Sequence, residues 1–398
     1  MQLENGMGHL TYSTLVHPGD NWEQIWDSVR KYLPEVKARV CPDTPFGVSL
    51  RLSAESAETL VKSPEKRAML KSFFDDNDMY LYTVNAFPYG SFKNTLVKEQ
   101  VYEPDWSTEQ RLRYTMNVAD ILAEISADFV EPSIQTPPLG FKPNVTSDAV
   151  VEAYAENVRR LAAHVHAIRK RTGRTVTLAI EPEPACFLET TPETINFFDN
   201  YLRTERSIAD LAAKTGTDAE TAREILNRHV GVVYDICHQA VEYENISESL
   251  QALKDKGIQV LKLQEAAAMR IPEVTQEAVD LLKPFADSVY LTQTIQRRNG
   301  EITRFLNLED AFAAWDADPS PCEWRIHFHV PVFLEDVGPF KTTRFAIEEA
   351  LAFQKAHRLS KYLEIETYTW DVLPDDVKTG NIVDYITREI KWVAGELR

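Results

Sequence analysis

The chain has 398 residues, of which 44% are hydrophobic and 26% charged, enough to bury a large core. The formal net charge of −18 argues against a nucleic-acid partner, because phosphate backbones bind to clustered Lys and Arg. Four cysteines lie scattered without CxxC spacing, and we find no secretory leader pattern and no apolar run long enough to span a membrane. We therefore expect a cytoplasmic protein with neither a nucleic-acid nor a membrane partner.

Short apolar runs alternate with amphipathic helical segments through the whole chain, which is typical of βαβ units and a parallel sheet. An α/β barrel needs about 250 residues, so the length accommodates a TIM (β/α)8 barrel with insertions. No linker-like or low-complexity tract divides the chain, and we predict one TIM-barrel domain over residues 1–398. The candidate strands are Leu10–His17, Phe46–Leu52, Met79–Phe87, Phe129–Thr136, Val176–Glu181, Val230–Asp235, Gln259–Gln264, Trp324–Val330 and Tyr362–Thr367.

These candidates number one more than a barrel needs, so one late run must be an extra strand or part of an insertion. A β-hairpin insertion is predicted near 289–306, where two apolar runs flank Asn299-Gly300, a strong two-residue hairpin signal. A second insertion, near 203–228, has a helical pattern.

The active site of a TIM barrel forms at the carboxyl ends of its strands, so polar residues that close the apolar runs are site candidates. Four runs bring carboxylates and imidazoles to that end of the predicted barrel, namely Glu181, Asp235 with His238, His327 with His329, and Glu366. Carboxylates crowded into one cavity repel each other, and a divalent cation removes that conflict. Mixed imidazole and carboxylate ligation predicts one divalent ion, chosen among Mn, Co, Zn, Fe and Mg.

Each element also has a purely structural explanation. A glutamate after a strand often pairs with a cation on the rim, and Asp235 can cap a helix. His327 and His329 face the same side of a strand and can be hydrogen-bonded core residues. The metal interpretation depends on the four elements occurring together, in this order, at strand ends.

The series Glu181, Asp235-x-x-His238, His327-Phe328-His329-Val330 and Glu366 resembles the xylose isomerase-like TIM barrels, which include ketose isomerases and epimerases, inosose dehydratases and endonuclease IV. In the epimerase branch the resemblance implies metal ligation by Glu181, Asp235, His329 and Glu366. It implies substrate contact by His238 and by a second glutamate, for which Glu189 is the nearest match. The late run Gln259–Gln264 departs from the simple epimerase pattern, and Gln264 is an alternative third ligand to His329.

A closer resemblance covers nearly the whole chain and points to the EboE metabolite-traffic proteins of the same superfamily. It implies a link to the processing or traffic of secondary-metabolite precursors, with partner proteins from the same gene cluster, while the oligomeric state stays open. The matching runs are Leu10-Thr11-Tyr12-Ser13-Thr14, His17-Pro18-Gly19, Asn85-Ala86-Phe87-Pro88-Tyr89-Gly90, Asp235-Ile236-Cys237-His238-Gln239, His327-Phe328-His329-Val330-Pro331 and Glu366-Thr367-Tyr368-Thr369-Trp370.

The leading hypothesis is a metal-dependent isomerase, epimerase or lyase that acts on a small polyhydroxylated or carbonyl metabolite. Glu181 and Glu366 would remove and return a proton, and His238 would orient the carbonyl oxygen. Two rivals stay open, a metal-dependent phosphoester hydrolase and a non-catalytic metabolite-binding barrel. The remaining residues expected to line the substrate site are His17, Asn85, Phe87, Glu189, Gln264, His327 and Trp370.

Overall fold

The computed structural model describes residues 1–91, 98–286, 291–367 and 380–398. Within these ranges the strands, in chain order, are β1 (His9–Tyr12), β2 (Phe46–Arg51), β3 (Met79–Asn85), β4 (Ser133–Thr136), β5 (Thr177–Ile180), β6 (Val230–Asp235), β7 (Val260–Glu265), β8 (Ala267–Ile271), β9 (Thr294–Arg298), β10 (Glu301–Phe305), β11 (Glu323–Val330), β12 (Asp336–Val337), β13 (Phe340–Thr342) and β14 (Tyr362–Ile365). They form two sheets with different architectures.

The first sheet is a TIM barrel, as the sequence predicts. Its eight strands follow the order β1-β14-β7-β6-β5-β4-β3-β2, and every neighbouring pair within that order is parallel. A parallel bridge between Ser13 and Ser49 joins the two ends of the order. All residues of β2, β3 and β6 are buried, as expected for strands covered on both faces.

The second sheet is antiparallel and is inserted in the chain between β7 and β14, with the order β10-β9-β11-β8-β13-β12. The predicted hairpin is present in it, because β9 and β10 pair antiparallel across Asn299-Gly300. Gly300 has φ +88°, a left-handed conformation that suits this turn.

Gln259–Gln264, the late run that departs from the epimerase pattern, is not the extra strand. The run Gln259–Gln264 contains β7, which is the seventh barrel strand and pairs with β6 and β14. The run Trp324–Val330 contains β11, which lies between β8 and β9 in the inserted sheet. Both runs are apolar and short, and their pairing partners cannot be read from either run alone.

The helices, in chain order, are α1 (Trp22–Val40), α2 (Ala54–Lys62), α3 (Pro64–Asp76), α4 (Glu109–Ile125), α5 (Asp148–Thr172), α6 (Thr191–Phe197), α7 (Glu205–Thr215), α8 (Ala219–His229), α9 (Ile236–Val241), α10 (Ile246–Asp255), α11 (Gln276–Ala286), α12 (Leu308–Ala317), α13 (Arg344–His357) and α14 (Ile382–Glu396). The predicted helical insertion corresponds to α7 and α8. Among the described residues, no helix has both the length and the apolar character needed to cross a membrane.

Candidate functional site

Three acidic side chains meet at the carboxyl ends of the barrel strands. Glu181 follows β5, Asp235 ends β6 and Glu366 follows β14. Each offers a carboxylate oxygen, these oxygens lie within 4.8 Å of one another, and all three residues are buried. We call Glu181, Asp235 and Glu366 the carboxylate cluster.

The side-chain amide of Gln264, from β7, lies among these acids. Its Nε2 is 2.9 Å from Glu181 Oε1, 2.6 Å from Asp235 Oδ2 and 2.7 Å from Glu366 Oε2. An amide nitrogen carries two hydrogens, so it cannot donate fully to three acceptors. Gln264 Oε1, in contrast, is buried without a hydrogen-bond partner. If the amide were turned so that its oxygen faced a cation, that cation would bind both this oxygen and the three carboxylates. The side chains present therefore fit a metal ion.

The proton affinity of the two glutamates of the cluster is strongly raised. Burial, followed by the negative charges of Glu366 and Asp235, raises the pKa of Glu181 well above its ordinary value. Burial and then Glu364 raise the pKa of Glu366 to about 8. Without a cation, Glu181 and Glu366 therefore favour retaining their protons at neutral pH.

Polar groups inside the barrel hold these acids in place. The buried Lys262 ammonium donates to Glu364 Oε1 at 2.7 Å and also to the side-chain oxygen of Gln135. Gln135 Nε2 in turn donates to Glu181 Oε2 at 2.5 Å. On the other side, Asn85 Nδ2 donates to Glu366 Oε1 at 3.0 Å. Each glutamate of the cluster is thus oriented by its own amide, Glu181 by Gln135 and Glu366 by Asn85.

Three histidines form a second cluster beside the acids. His238 lies on α9, directly after β6, while His327 and His329 lie on β11. The Nε2 atoms of His238 and His327 are 3.1 Å apart, and those of His327 and His329 are 3.0 Å apart. We call His238, His327 and His329 the histidine cluster.

An irregularity in β11 coincides with the two histidines that it carries. Ile326 pairs with Met269 of β8 and Val330 pairs with Ala267, so the ladder is interrupted across residues 327–329. The backbone N–H of His327 donates instead to the carbonyl oxygen of Gln293 at 2.9 Å. Bulges of this kind re-aim side chains next to active sites. Burial lowers the pKa of His329 to about 4 and that of His327 well below its usual value.

Both clusters border a cavity of about 560 Å³, a volume that includes the open space at its entrance. Glu181, Glu366 and the three histidines form much of its polar wall, together with Asn85. The rest of the lining is largely apolar and includes the predicted residue Phe87 with Leu15, Val101, Tyr102 and Leu291. This volume and mixture of walls suit a small polar metabolite.

Three predicted substrate contacts, His17, Glu189 and Gln264, are not part of the cavity lining, and Gln264 lies among the carboxylate cluster instead. Strand β1 ends at Tyr12, and a 3-10 turn over Thr14–Val16 carries His17 away from the lining of the cavity. The His17 ring instead stacks on Tyr32, with centroids 4.0 Å apart, and its Nε2 contacts Tyr12 Oη at 2.8 Å. Trp370, the remaining predicted contact, lies outside the described residues.

Glu189 is the second predicted contact that the cavity lining does not include. Its Oε1 accepts from the Ala185 N–H at 2.7 Å, and its Oε2 pairs with Lys142 and lies 3.6 Å from Arg304 Nε. The loop after β5 therefore directs Glu189 into an ion-pair network instead of into the cavity.

The second glutamate in the cavity is Glu183, which the sequence analysis did not single out although it lies in the same Ile-Glu-Pro-Glu-Pro run as Glu181. Its Oε1 accepts from Tyr102 Oη at 2.8 Å, and burial raises its pKa to about 7. Gln293, also missed, contacts His327 Nδ1 through Oε1 at 3.0 Å. No local sequence motif predicts the contact between Gln293 and His327, because Gln293 lies just before β9 and is far from β11 in sequence.

No protein-family model matches this chain, and no curated protein sequence matches it. Among solved structures, the chain is similar to a xylose isomerase-like TIM barrel protein from Mycobacterium smegmatis in complex with magnesium, with 12% identity and a TM-score of 0.49 over 98% of this chain and 96% of that one. It is also similar to the IOLI protein with a binding zinc atom, with 11% identity and a TM-score of 0.47 over 98% and 97% of the two chains. A D-tagatose 3-epimerase-like protein gives 11% identity and a TM-score of 0.47 over 98% of each chain. At these values the likeness concerns the fold alone.

Proposed function

We propose that the mouth of this barrel binds a divalent cation and catalyses proton transfer on a small polyhydroxylated or carbonyl metabolite, as an isomerase, epimerase or lyase. The carboxylate cluster carries the proposal. Glu181, Asp235 and Glu366 are buried, come from three different barrel strands and place their oxygens within 4.8 Å of one another beside a cavity. When ionised, these carboxylates repel one another, and a bound cation would offset that repulsion.

The cation would be held by the carboxylate cluster together with a neutral fourth ligand. Gln264 is the better candidate for that ligand because its amide already touches all three acids. His329, the ligand expected from the sequence, contacts the Glu366 backbone oxygen through Nδ1 at 2.8 Å, and its Nε2 faces His327. When bound, the cation would stabilise negative charge that develops on substrate oxygens.

The two glutamates of the cluster are suited to moving the proton. Both border the cavity, both have raised pKa values, and each is fixed by its own amide partner, Gln135 for Glu181 and Asn85 for Glu366. One glutamate, ionised, takes the proton next to a carbonyl, and the other, protonated, donates its own proton to a neighbouring position or to the opposite face. His238 directs Nε2 into the same cavity, because the Pro182 carbonyl holds its Nδ1 at 2.9 Å. We assign it to orienting the substrate oxygen.

The metabolite itself is left open by this geometry. The resemblance to the EboE metabolite-traffic proteins suggests a precursor of a secondary metabolite, handled with other proteins of the same gene cluster. The acidic chain, with a net charge of −18, disfavours large polyanionic substrates such as DNA.

Deuterium exchange tests the proposed chemistry without requiring knowledge of the product. The full chain, loaded with Mn²⁺, is incubated in D₂O with a panel of ketoses, aldoses and 2-keto polyols, and NMR follows the hydrogens next to each carbonyl. We expect deuterium to enter one compound, and we expect chelator or Glu181→Gln to prevent it. Glu389→Gln is the matched control. Glu389 is also a buried carboxyl, but it lies on α14 and accepts hydrogen bonds from Val332 N–H and Thr367 Oγ1, outside the carboxylate cluster.

The rival functions give different results. Ligand binding at the cavity without exchange would support a non-catalytic carrier. Release of phosphate from a phosphoester, without exchange, would support a hydrolase. Exchange that persists equally in Glu181→Gln would disprove the role given to the carboxylate cluster.

A further inference from the structure

The histidine cluster has an arrangement of hydrogen atoms that the proposed function does not explain. His238 Nδ1 lies 2.9 Å from the Pro182 carbonyl oxygen, and His329 Nδ1 lies 2.8 Å from the Glu366 carbonyl oxygen. Backbone carbonyls only accept hydrogen bonds, so both rings must carry a hydrogen at Nδ1. In a neutral ring this leaves Nε2 as a bare lone pair.

His327 is fixed in the same way by a side chain. Its Nδ1 lies 3.0 Å from Gln293 Oε1. The orientation of the Gln293 amide is itself determined, because its Nε2 donates to Tyr102 Oη at 3.2 Å and to the Pro184 carbonyl at 3.4 Å. His327 therefore also carries its hydrogen at Nδ1 and presents a lone pair at Nε2.

The lone pair of His327 Nε2 consequently faces those of His238 and His329 in a buried place, with nitrogens 3.1 and 3.0 Å away. Such an arrangement is repulsive unless positive charge lies between the nitrogens. A tetrahedral metal ion with Zn–N bonds of about 2.0–2.1 Å would hold neighbouring nitrogens about 3.3 Å apart, close to these spacings. Metal-ligating histidines typically donate their other ring N–H to a carbonyl or carboxylate oxygen, as all three do here.

We infer that His238, His327 and His329 bind a second divalent cation, of the class that prefers imidazole ligands, next to the ion proposed for the carboxylate cluster. His327 is then a metal ligand and not the substrate contact expected from the sequence. Asp235 belongs to both sites, because its Oδ2 lies 3.9 Å from His238 Nε2 and its ligand atom is within 4.8 Å of those of His238 and His329. The ion at the carboxylate cluster is part of the proposed function, and to that extent the inference rests on it. The histidine site itself is argued from the ring contacts alone.

The two sites should differ in metal preference. The carboxylate cluster with Gln264 offers oxygen ligands only, which suit Mg²⁺ or Mn²⁺, whereas three imidazoles suit Zn²⁺ or Co²⁺. Cys237, whose ligand atom also lies within 4.8 Å of those of His327 and His329, is a candidate additional ligand. A sulfur ligand would show as an intense near-ultraviolet band in the Co²⁺ protein.

Metal counting tests the inference on the full chain. The protein is stripped with chelator and dialysed against Co²⁺ alone, and bound metal per chain is measured. We expect two ions in the wild type, one in His327→Ala and one in Glu181→Gln. His229→Gln is the matched control and should keep two, because His229 is a buried histidine whose Nδ1 also contacts a backbone carbonyl, that of Val176 at 2.7 Å.

The outcomes separate this inference from the proposed function. One ion in the wild type, lost equally in His327→Ala and Glu181→Gln, means a single shared site and overturns the second ion while the proposed function stands. Two ions retained in His327→Ala also overturn it. One ion lost only in His327→Ala supports the histidine site and removes the metal from the proposed function. If His327→Ala fails to fold, X-ray absorption of the Zn²⁺-loaded wild type decides, since the inference requires three imidazoles around one Zn²⁺ ion.

Discussion

The barrel and the inserted sheet contribute different chemistry to one cavity. The barrel strands β5, β6, β7 and β14 end in, or are directly followed by, acids and an amide, as parallel strands with a shared carboxyl edge commonly do. The inserted strand β11 adds two imidazoles from within its length, at a place where its ladder with β8 is interrupted. The barrel fold therefore accounts for the acidic half of the site and for His238, whereas the insertion supplies the other two imidazoles.

Asp235 is the residue where these two halves meet, so we expect its substitution to have the largest effect. Asp235→Asn keeps the side-chain oxygen that accepts the His238 N–H at 3.0 Å and caps α9, but removes the charge from both clusters. We expect metal content to fall at both sites and any activity to drop about 100-fold or more. Metal analysis and the deuterium-exchange assay measure this. Loss of one ion alone would show that the two halves do not share Asp235.

Gln264 tests the acidic half alone. Gln264→Met keeps the length of the side chain but removes the donor that contacts all three carboxylates. In chelator we expect the free energy of unfolding to fall by about 3 kcal/mol, since three buried acceptors lose the donor that contacts them. Gln296→Met is the control, because buried Gln296 accepts one neutral bond from Trp324 Nε1 at 3.1 Å, and we expect about 1 kcal/mol there. Equal losses in denaturant titrations of both variants would mean that the acids do not depend on the amide.

Gln293 tests the histidine half alone. Gln293→Met removes the acceptor of His327 Nδ1 without touching the carboxylate cluster. Loss of such an outer partner typically weakens metal binding about 10–100-fold, and we expect this for the second ion only. Competition with a chromophoric chelator measures both affinities. Gln354→Met, which alters a buried glutamine bonded to Ser360, should change neither of them.

The smallest effect concerns His229, a buried histidine outside both clusters. Burial, with smaller contributions from His166, Arg228 and Arg169, lowers its pKa to about 4 from an ordinary value of 6.5. The unfolded chain therefore takes up this proton first as pH falls, and the stability contributed by neutral His229 is lost progressively from pH 6.5 down to about 4. At pH 5.5 the loss relative to pH 7.5 should be about 1.4 kcal/mol. His229→Gln should flatten this part of the pH profile in denaturant titrations, and an unchanged profile would contradict the assignment.

The sequence predicted the barrel and most of its acidic half because both are local properties. Alternation of apolar runs with helical segments follows from how a parallel sheet is covered, and Glu181, Asp235 and Glu366 are adjacent to the runs that carry them. Glu183 was accessible by the same reasoning, since it is two residues after Glu181, but Glu189 was chosen as the nearest match to the second glutamate that the resemblance implies.

The histidine half could be predicted only in part, because it depends on contacts between distant segments. Nothing within the runs around Gln264 and His329 tells which one pairs parallel inside the barrel and which one antiparallel outside it. The tautomer of His327 depends on Gln293, and that of His329 on the backbone oxygen of Glu366. Such partners are fixed only when the inserted sheet packs against the barrel.

The spacing of His327 and His329 on β11 has a consequence for folding. Residues two apart on a strand face the same side, so a slip of one residue would turn both imidazoles away and place Phe328 against the cavity. A cation held by these rings would therefore bind only the register in which both imidazoles face the cavity. Metal binding would stabilise that register of the inserted sheet over the shifted ones. Metal added during refolding should then raise the yield of correctly aligned molecules, and metal added after refolding should not correct those already misaligned.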